Sequence, residues 1–322
     1  MLLVAFSWLW RVTNLQPTMR NHRGIALRPI FFAFFLIGLL WGSNFIYMKW
    51  ASAYISPSQI TFLRVAFGFL PLAFVAWKRG AIERNQLRHL PHFLVMAACA
   101  TAFYYFAIAK GTALLPSGVA GVLGGSIALF TTIATVLFLR TERLNGLMLS
   151  GVLLGFAGIV VIARPWDGLD SHIEIGGVLW MLAASAILGS SYVYVRRFLA
   201  PFDIPPVALV TWQTGLAFLI LLIATDYSGI GDILQDWRAA VGVVIGLGVL
   251  GTGVAFLLYY HLLRELGAVA ASGATYQTPV VALVISWFVG EKVGLTELAA
   301  AALVLASICL LQVGRKRSEK QL

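Results

Sequence analysis

Residues 39–50 read LLWGSNFIYMKW and residues 186–197 read AILGSSYVYVRR. The two strings align at an offset of 147, with Gly42-Ser43-Asn44-Phe45-Ile46-Tyr47 over Gly189-Ser190-Ser191-Tyr192-Val193-Tyr194. Each polar patch sits inside an apolar run long enough to cross a bilayer. Each is followed by a basic residue, a proline-initiated helix and another apolar run. Later in each half Gly118 matches Gly267, and Glu142-Arg143 matches Glu291-Lys292, both at an offset of 149. The chain therefore reads as one unit used twice.

Composition fixes the solvent of that unit. With 60% hydrophobic and 11% charged residues among 322 and a mean hydropathy of +0.88, the chain lacks the roughly 25% charged residues of a soluble domain. Spanning about 30 Å of hydrocarbon takes roughly 20 apolar residues. Ten such runs are present, near 30–50, 57–77, 91–109, 117–139, 145–163, 176–195, 205–225, 239–263, 269–290 and 296–314. Turn signals such as Ser56-Pro57, Leu90-Pro91, Leu115-Pro116, Arg164-Pro165 and Pro205-Pro206 punctuate them. Loops this short leave no room for a soluble catalytic or nucleotide-binding domain. The predicted fold is an all-α polytopic membrane protein of ten transmembrane helices.

Five is odd, so two five-helix units in tandem must insert upside down relative to each other. This architecture places a substrate site near the bilayer midplane where the repeats meet. The expected organisation is a first repeat over 30–163, a second over 176–314, and a basic tail over 315–322. Residues 1–29 form a cytoplasmic segment, read either as an upstream start-codon extension (Met19 precedes RNHRG) or as an interfacial stretch.

Charge orients the threading. Of 23 Lys and Arg, 17 fall on the side of the termini and five on the other (Lys49, Lys110, Arg164, Arg238, Lys292), with Arg64 inside a span. The positive-inside rule then puts both termini in the cytoplasm. The net charge of +10 thus reports topology. Its dispersal through loops speaks against nucleic-acid binding. Cys99 and Cys309 are isolated in separate spans, which indicates neither a disulfide nor a metal site. GLGVLG at 246–251 fits a dinucleotide-loop pattern but lies in an apolar span without a preceding strand, so it reads as helix packing. There is no Walker motif; neither ATP hydrolysis nor an ATPase partner is called for, and no cofactor or metal is expected.

Polar residues at mid-span need partners in hydrocarbon. Asn44, Ser126, Ser190, Ser191 and Gln277 fall at this depth. Lone hydroxyls usually bond the carbonyl four residues back. Gln277 is the stronger site candidate because Pro279 frees a backbone carbonyl nearby. Arg64 is the one charged residue well inside a span. An Arg at the bilayer centre costs about 2.5 to 3.5 kcal/mol on insertion scales, so Arg64 and Pro279 are assigned gating or structural roles. All 13 acidic residues map to loops or helix ends, which disfavours coupling through a membrane carboxylate.

WGSNF at Trp41–Phe45, FLRVAFGFLPL at Phe62–Leu72 and TPVVALVISWFVGEKV at Thr278–Val293 resemble EamA-type members of the drug/metabolite transporter superfamily. The resemblance covers residues 30–314. It implies ten helices in two inverted repeats, with a cavity lined mainly by spans 1, 3, 4, 6, 8 and 9, and a family that includes exporters of amino acids and other metabolites. Trp41, Tyr104, Tyr105 and Tyr276 fall on those spans and join the cavity candidates. The halves differ where Phe130 stands for Pro279 and Trp212 stands opposite Arg64. The expected function is a non-enzymatic permease in the bacterial inner membrane, a monomer or weak homodimer bathed in lipid, exporting a small organic metabolite by alternating access. An importer of the same fold and a membrane-embedded enzyme are the alternatives. On this reading Gln277→Ala and Tyr104→Ala impair flux at normal abundance.

Overall fold

The computed structural model describes residues 27–139, 145–166 and 173–319. Among these, no residue lies in a strand. Nine helices are long and apolar enough to cross a membrane: α1 (Ile30–Ala51), α2 (Pro57–Lys78), α3 (Arg84–Leu114), α4 (Ser117–Leu139), α5 (Gly146–Ala163), α6 (Ile175–Phe202), α7 (Pro206–Ala224), α8 (Trp237–Glu265) and α10 (Leu295–Arg315). Between the last two lies α9 (Gln277–Phe288), preceded by a 3₁₀ turn over Gly273–Tyr276.

Local chemistry sets the helix starts. Ser56 and Gln59 form a reciprocal capping box ahead of Pro57, with the Ser56 N–H donating to Gln59 Oε1 at 3.0 Å. The amide of Gln59 also donates to the Asp226 and Ser228 carbonyls, each at 2.8 Å, tying the head of α2 to the loop after α7. The start of α3 precedes the apolar run near 91 because a 3₁₀ turn over Arg84–His89 leads into Pro91. There Gln86 anchors the turn, donating to the Ala81 carbonyl at 2.9 Å.

Helix pairing displays the internal symmetry. α1 packs on α9 as α6 packs on α4; α2 packs on α8 as α7 packs on α3; α3 packs on α6 as α8 packs on α1. Three further pairs, α2 with α7, α4 with α9 and α5 with α10, map onto themselves. Exchanging each helix with the one five places on preserves these principal pairings, as two inverted repeats about an in-plane axis require, whereas α1 also packs on α4 and α4 on α10 without an equivalent contact in the other half. The matched strings supply the contacts. A Cβ on Gly42 would stand 2.5 Å from the Val281 side chain and 3.2 Å from the Thr278 carbonyl, and one on Gly189 only 2.7 Å from the Thr131 N. Thr131 and Thr278 are themselves 147 apart.

Directions follow from the same contacts. Trp41 meets Tyr259 while Tyr47 meets Gly242 and Gly246, so α1 and α8 are antiparallel. Gly38 meets Gln277 while Gly42 meets Val281, so α1 and α9 are parallel. The face where α1 begins is called the N-face below.

Two irregularities recur in both halves. π-helical turns occupy Ala97–Phe103 in α3 and Gly242–Val254 in α8. α4 breaks between Gly124 and Ile127, and α9 opens on its 3₁₀ turn at the equivalent place. Pro279 therefore sits in the first turn of a helix, with Tyr276 at the N-cap. Its missing N–H costs nothing there. It starts α9 instead of kinking a longer helix, which corrects the expectation of a helix running through 269–290.

α5 and α10 lie along each other, fastened at three levels. Asn145 donates to the Gly314 carbonyl at 2.7 Å, Ser307 to the Gly151 carbonyl at 2.6 Å, and Arg164 pairs with Glu297 at 2.8 Å.

Candidate functional site

The sequence candidates fall into two groups. The first surrounds Arg64, which is 5% exposed. Its Nε donates to Thr252 Oγ1 at 3.1 Å, its Nη1 has the Met48 sulfur at 4.0 Å, and its guanidinium lies 3.8 Å from the centre of the Tyr105 ring. With the Asn44 amide oriented to suit both neighbours, Asn44 donates to the Leu40 carbonyl at 3.0 Å and accepts from Arg64 Nη2 at 3.2 Å. The π-helical turn of α8 brings Thr252 here; its hydroxyl also donates to the Leu247 carbonyl five residues back. Four helices, α1, α2, α3 and α8, thus meet at one guanidinium.

Tyr104 stacks obliquely beside Tyr105 at 5.2 Å and feels the Arg64 charge. Trp41 joins from α1, with ring centres 5.5 Å from Tyr259 and 6.4 Å from Phe256.

Tyr192 marks the open space among these rings. Along α6, Met181, Ser185 and Leu188 form the inward stripe at helical spacing, and all are buried. Tyr192 continues that stripe yet is 51% exposed. Its hydroxyl is within electrostatic reach of Tyr259, Tyr104, Tyr105 and Tyr260. An exposed residue on an inward stripe marks open space between the helices. Trp41 of α1, Tyr104 of α3 and Tyr259 and Tyr260 of α8 are each partly exposed, whereas Tyr105 is buried.

Sequence reasoning missed Tyr192, Tyr259 and Tyr260. Tyr192 was visible as the partner of Phe45 in the repeat alignment. Phe45 is 4% exposed and fills the space beside Gly121 and Gly124, so the first-half residue packs where its counterpart lines a cavity.

The second group stands apart. Gln277 donates to the Phe34 carbonyl at 3.1 Å and fills the space beside Gly38, knitting α9 to α1. Tyr276 is bonded to Gln312 of α10 through its hydroxyl. Ser126, 3% exposed at the α4 break, donates to the Leu123 carbonyl at 2.6 Å, and Ser191 to the Ile187 carbonyl at 2.7 Å. Ser190 is exposed on the outer stripe it shares with Leu179; at about 100° per residue it faces away from Tyr192.

Trp212 is also relocated. Its Nε1 donates to Gln86 Oε1 at 2.8 Å and its ring stacks on Phe93 at 5.9 Å. The neighbour Gln213 takes the position equivalent to Arg64, donating to Thr101 Oγ1 at 2.7 Å in the π-helical turn of α3. The repeat thus keeps a polar tie between α7 and α3 and uses a neutral group for it.

On the face opposite the N-face the two repeats are tied together. There Glu291 Oε2 accepts from the Ser117 N–H at 2.8 Å, the Ser117 hydroxyl at 2.9 Å, the Gly118 N–H at 3.4 Å and the Ser286 hydroxyl. The carboxylate caps the first turn of α4, where helix N–H groups favour an anion. Its counterpart Glu142 lies outside the described residues. Nearby, Lys49 donates to the Ala113 carbonyl at 3.0 Å, and Tyr47 occupies a groove that Cβ atoms on Gly242 and Gly246 would fill. A cavity of about 370 Å³ on this face lies between the head of α2 and the segment after α7, bounded by Tyr54, Gln59, Asp226 and Asp232. Among the described residues no His, Cys, Asp and Glu cluster has the makings of a metal site.

The sequence profile of the EamA-like transporter family matches residues 28–164 and again 175–313. The uncharacterized transporter YvbV of Bacillus subtilis is 26% identical over 283 residues, covering 86% of this chain and 90% of that protein. The uncharacterized inner membrane transporter YedA of Escherichia coli K12 is 25% identical over 307 residues, covering 90% and 92%. A solved crystal structure superposes with a TM-score of 0.58 at 19% identity over 90% of this chain and 98% of that one, a likeness of fold. Two matched halves, helices paired by an in-plane twofold and relatives aligned over nearly their full length lead to one assignment: this multi-pass membrane protein is a transporter and belongs to the EamA-like transporter family.

Proposed function

We propose that the protein is a secondary permease that moves a small organic metabolite by alternating access, with the substrate held in the aromatic cavity between the repeats. The observation that carries this is Tyr192, half exposed on an otherwise buried inward stripe. It supports a cavity reached from the N-face while Glu291, Lys49 and Tyr47 close the opposite one. α4 and α9 pack on each other beside their irregular segments, with Gly121 against Ala282 and Gly125 against Pro279, and broken helices of this kind surround carrier sites. Exchange of conformations between the repeats would close the N-face and open the other.

By the positive-inside rule the N-face is cytoplasmic, with both termini inside and the protein in a bacterial inner membrane. A cavity reached from the cytoplasm favours export, the reading preferred over import. An enzymatic reading draws no support from a cavity of tyrosines and one arginine without a paired nucleophile and base. Counterflow in proteoliposomes tests the proposal. Saturable exchange of a labelled solute that Tyr192→Ala abolishes at equal protein content is expected. Chemical conversion of the solute without flux would refute it.

A further inference from the structure

We infer that His89 is a pH-sensitive switch on the N-face: uncharged, it fastens the head of α3 to the end of α6, and gaining a proton releases that contact. The joint ties the first repeat to the second. From α3 come His89 and His92, and from α6 come Tyr194, Phe198 and Phe202, spaced four apart. His92 Nδ1 and the Tyr194 hydroxyl oxygen are 2.8 Å apart and hydrogen-bonded. The His92 ring stacks on Phe198 with centres 5.9 Å apart, and the His89 ring lies over Phe202 at 4.0 Å. A π-helical turn over Val195–Leu199 and a 3₁₀ turn over Ala200–Phe202 form the end of α6 and present these rings.

The direction of one hydrogen bond fixes the state of His89. Arg88 Nε can only donate, and it stands 3.0 Å from His89 Nε2. His89 Nε2 therefore accepts, and the ring is neutral. A proton on Nε2 would turn this acceptor into a second donor facing a guanidinium, on a side chain only 7% exposed. Both the lost bond and the poorly solvated charge count against the joint. The Phe202 ring offsets part of this through its face, but burial beside Arg88 remains. His92 differs, because its bond to Tyr194 survives with the roles reversed: a hydroxyl oxygen accepts as well as it donates. Protonation acts on the joint through His89.

The surroundings are mostly cationic. On the turn ahead of α3, Arg88 carries charge and Glu83 is engaged by the Asn85 amide at 2.8 Å. Along α3 the titratable neighbours are His92 and Cys99; along α6 they are Tyr194, Arg196 and Arg197, the last against Phe198. Asp203 follows Phe202 at the surface. α7 packs on the same cluster and has no ionisable residue. Among the described residues no carboxylate forms an ion pair with either histidine.

The internal repeat makes the switch one-sided. Tyr194 matches Tyr47, which seats beside Gly242 and Gly246 of α8 on the opposite face. At the offset of 149, His92 and His89 match Val241 and Arg238. The equivalent joint thus holds its tyrosine without an imidazole. Imidazole is the side chain whose ordinary titration falls between about pH 5 and 8, so this joint responds to pH on the face that the positive-inside rule assigns to the cytoplasm.

The test uses the full chain in detergent with Cys99→Ser and Cys309→Ser, carrying spin labels at Leu87→Cys and Ala200→Cys, both exposed positions. Pulsed electron resonance reads the label separation from about pH 8 to about pH 5. The expected result is one short separation at the upper end that shifts to longer distance with a midpoint between about pH 5 and 7 and returns when the pH is raised. His89→Gln keeps an acceptor for Arg88 and cannot gain the charge, so it should hold the short separation throughout. His92→Gln should retain the shift. If His89→Gln fails to fold, the parent and His92→Gln titrations decide. A separation constant with pH, a shift that persists in His89→Gln, or one abolished by His92→Gln overturns the inference. No substrate enters the measurement, so its outcome is independent of the permease reading.

Discussion

Glu291 accepts the backbone N–H of Ser117 at 2.8 Å, fastening the loop after α9 to the head of α4, two segments 174 residues apart in sequence. The same oxygen takes the hydroxyls of Ser117 and Ser286. Charge-assisted hydrogen bonds of this kind are each worth about 1.5 to 3 kcal/mol. Glu291→Ala should release the closed face. The expected result is faster labelling, from the face opposite the N-face, of a cysteine placed at Tyr104, together with reduced flux. Glu291→Gln keeps an acceptor oxygen and should fall between the two; labelling unchanged in both variants would show that the closure rests elsewhere.

Tyr192→Ala and Gln277→Ala should part company. Tyr192 lines open space, so its removal costs little packing and is expected to lower flux at least about tenfold with near-normal membrane abundance. Gln277 satisfies the Phe34 carbonyl and fills the gap beside Gly38. Leaving that acceptor unpaired costs about 1 to 3 kcal/mol, so abundance should fall with activity. The expectation from the sequence, drawn from depth and from the neighbouring Pro279, is instead that Gln277 acts on substrate with abundance near normal. Quantitative immunoblotting beside transport separates the two, and equal loss of abundance in both variants would remove Tyr192 from the cavity.

How far the sequence could be read depends on whether a signal is periodic or contextual. Ten apolar runs, an odd repeat and asymmetric basic loops are periodic, and they led to ten helices paired by a twofold. Arg64 stood out because depth alone marks a charge. Tyr259 and Tyr260 did not, since aromatic residues near a helix end look alike whether they face lipid or a cavity. Pro279 was misplaced for a related reason: whether a proline kinks a helix or starts one depends on where the preceding turn changes to 3₁₀, which tertiary packing of α4 on α9 decides. Gln213 was overlooked in favour of Trp212 because the repeat offset is not constant, being 147 between Gly42 and Gly189 and 149 between Arg64 and Gln213.

Glu297→Gln should destabilise the α5 and α10 pair. Glu297 holds Arg164 at 2.8 Å through one oxygen and the Gly294 N–H at 2.7 Å through the other. Glu297 is 10% exposed and Arg164 28%, so solvent screens part of the attraction and a loss of about 1 to 2 kcal/mol is expected. Substrate selectivity should not change, because the pair lies outside the cavity. A lowered melting temperature in detergent with an unaltered ratio of transport rates for two solutes checks both halves of the claim.

Gly251→Ala tests whether the glycines of the GLGVLG string serve packing. A Cβ at Gly251 would stand 2.2 Å from the end of the Asn44 side-chain amide, which in the orientation given above is the nitrogen that donates to the Leu40 carbonyl, beside the oxygen that accepts from Arg64. Asn44 must then move, which disturbs its bond to Arg64 as well as the α1 and α8 contact. Overpacking of this kind costs about 1 to 3 kcal/mol. Gly231→Ala is the matched control, since nothing lies within 4 Å of its added carbon. If Gly251→Ala matches Gly231→Ala in melting temperature and in flux, close approach of α8 to α1 is dispensable. If it alone loses both, the small residues of that string are there to let Asn44 reach the guanidinium.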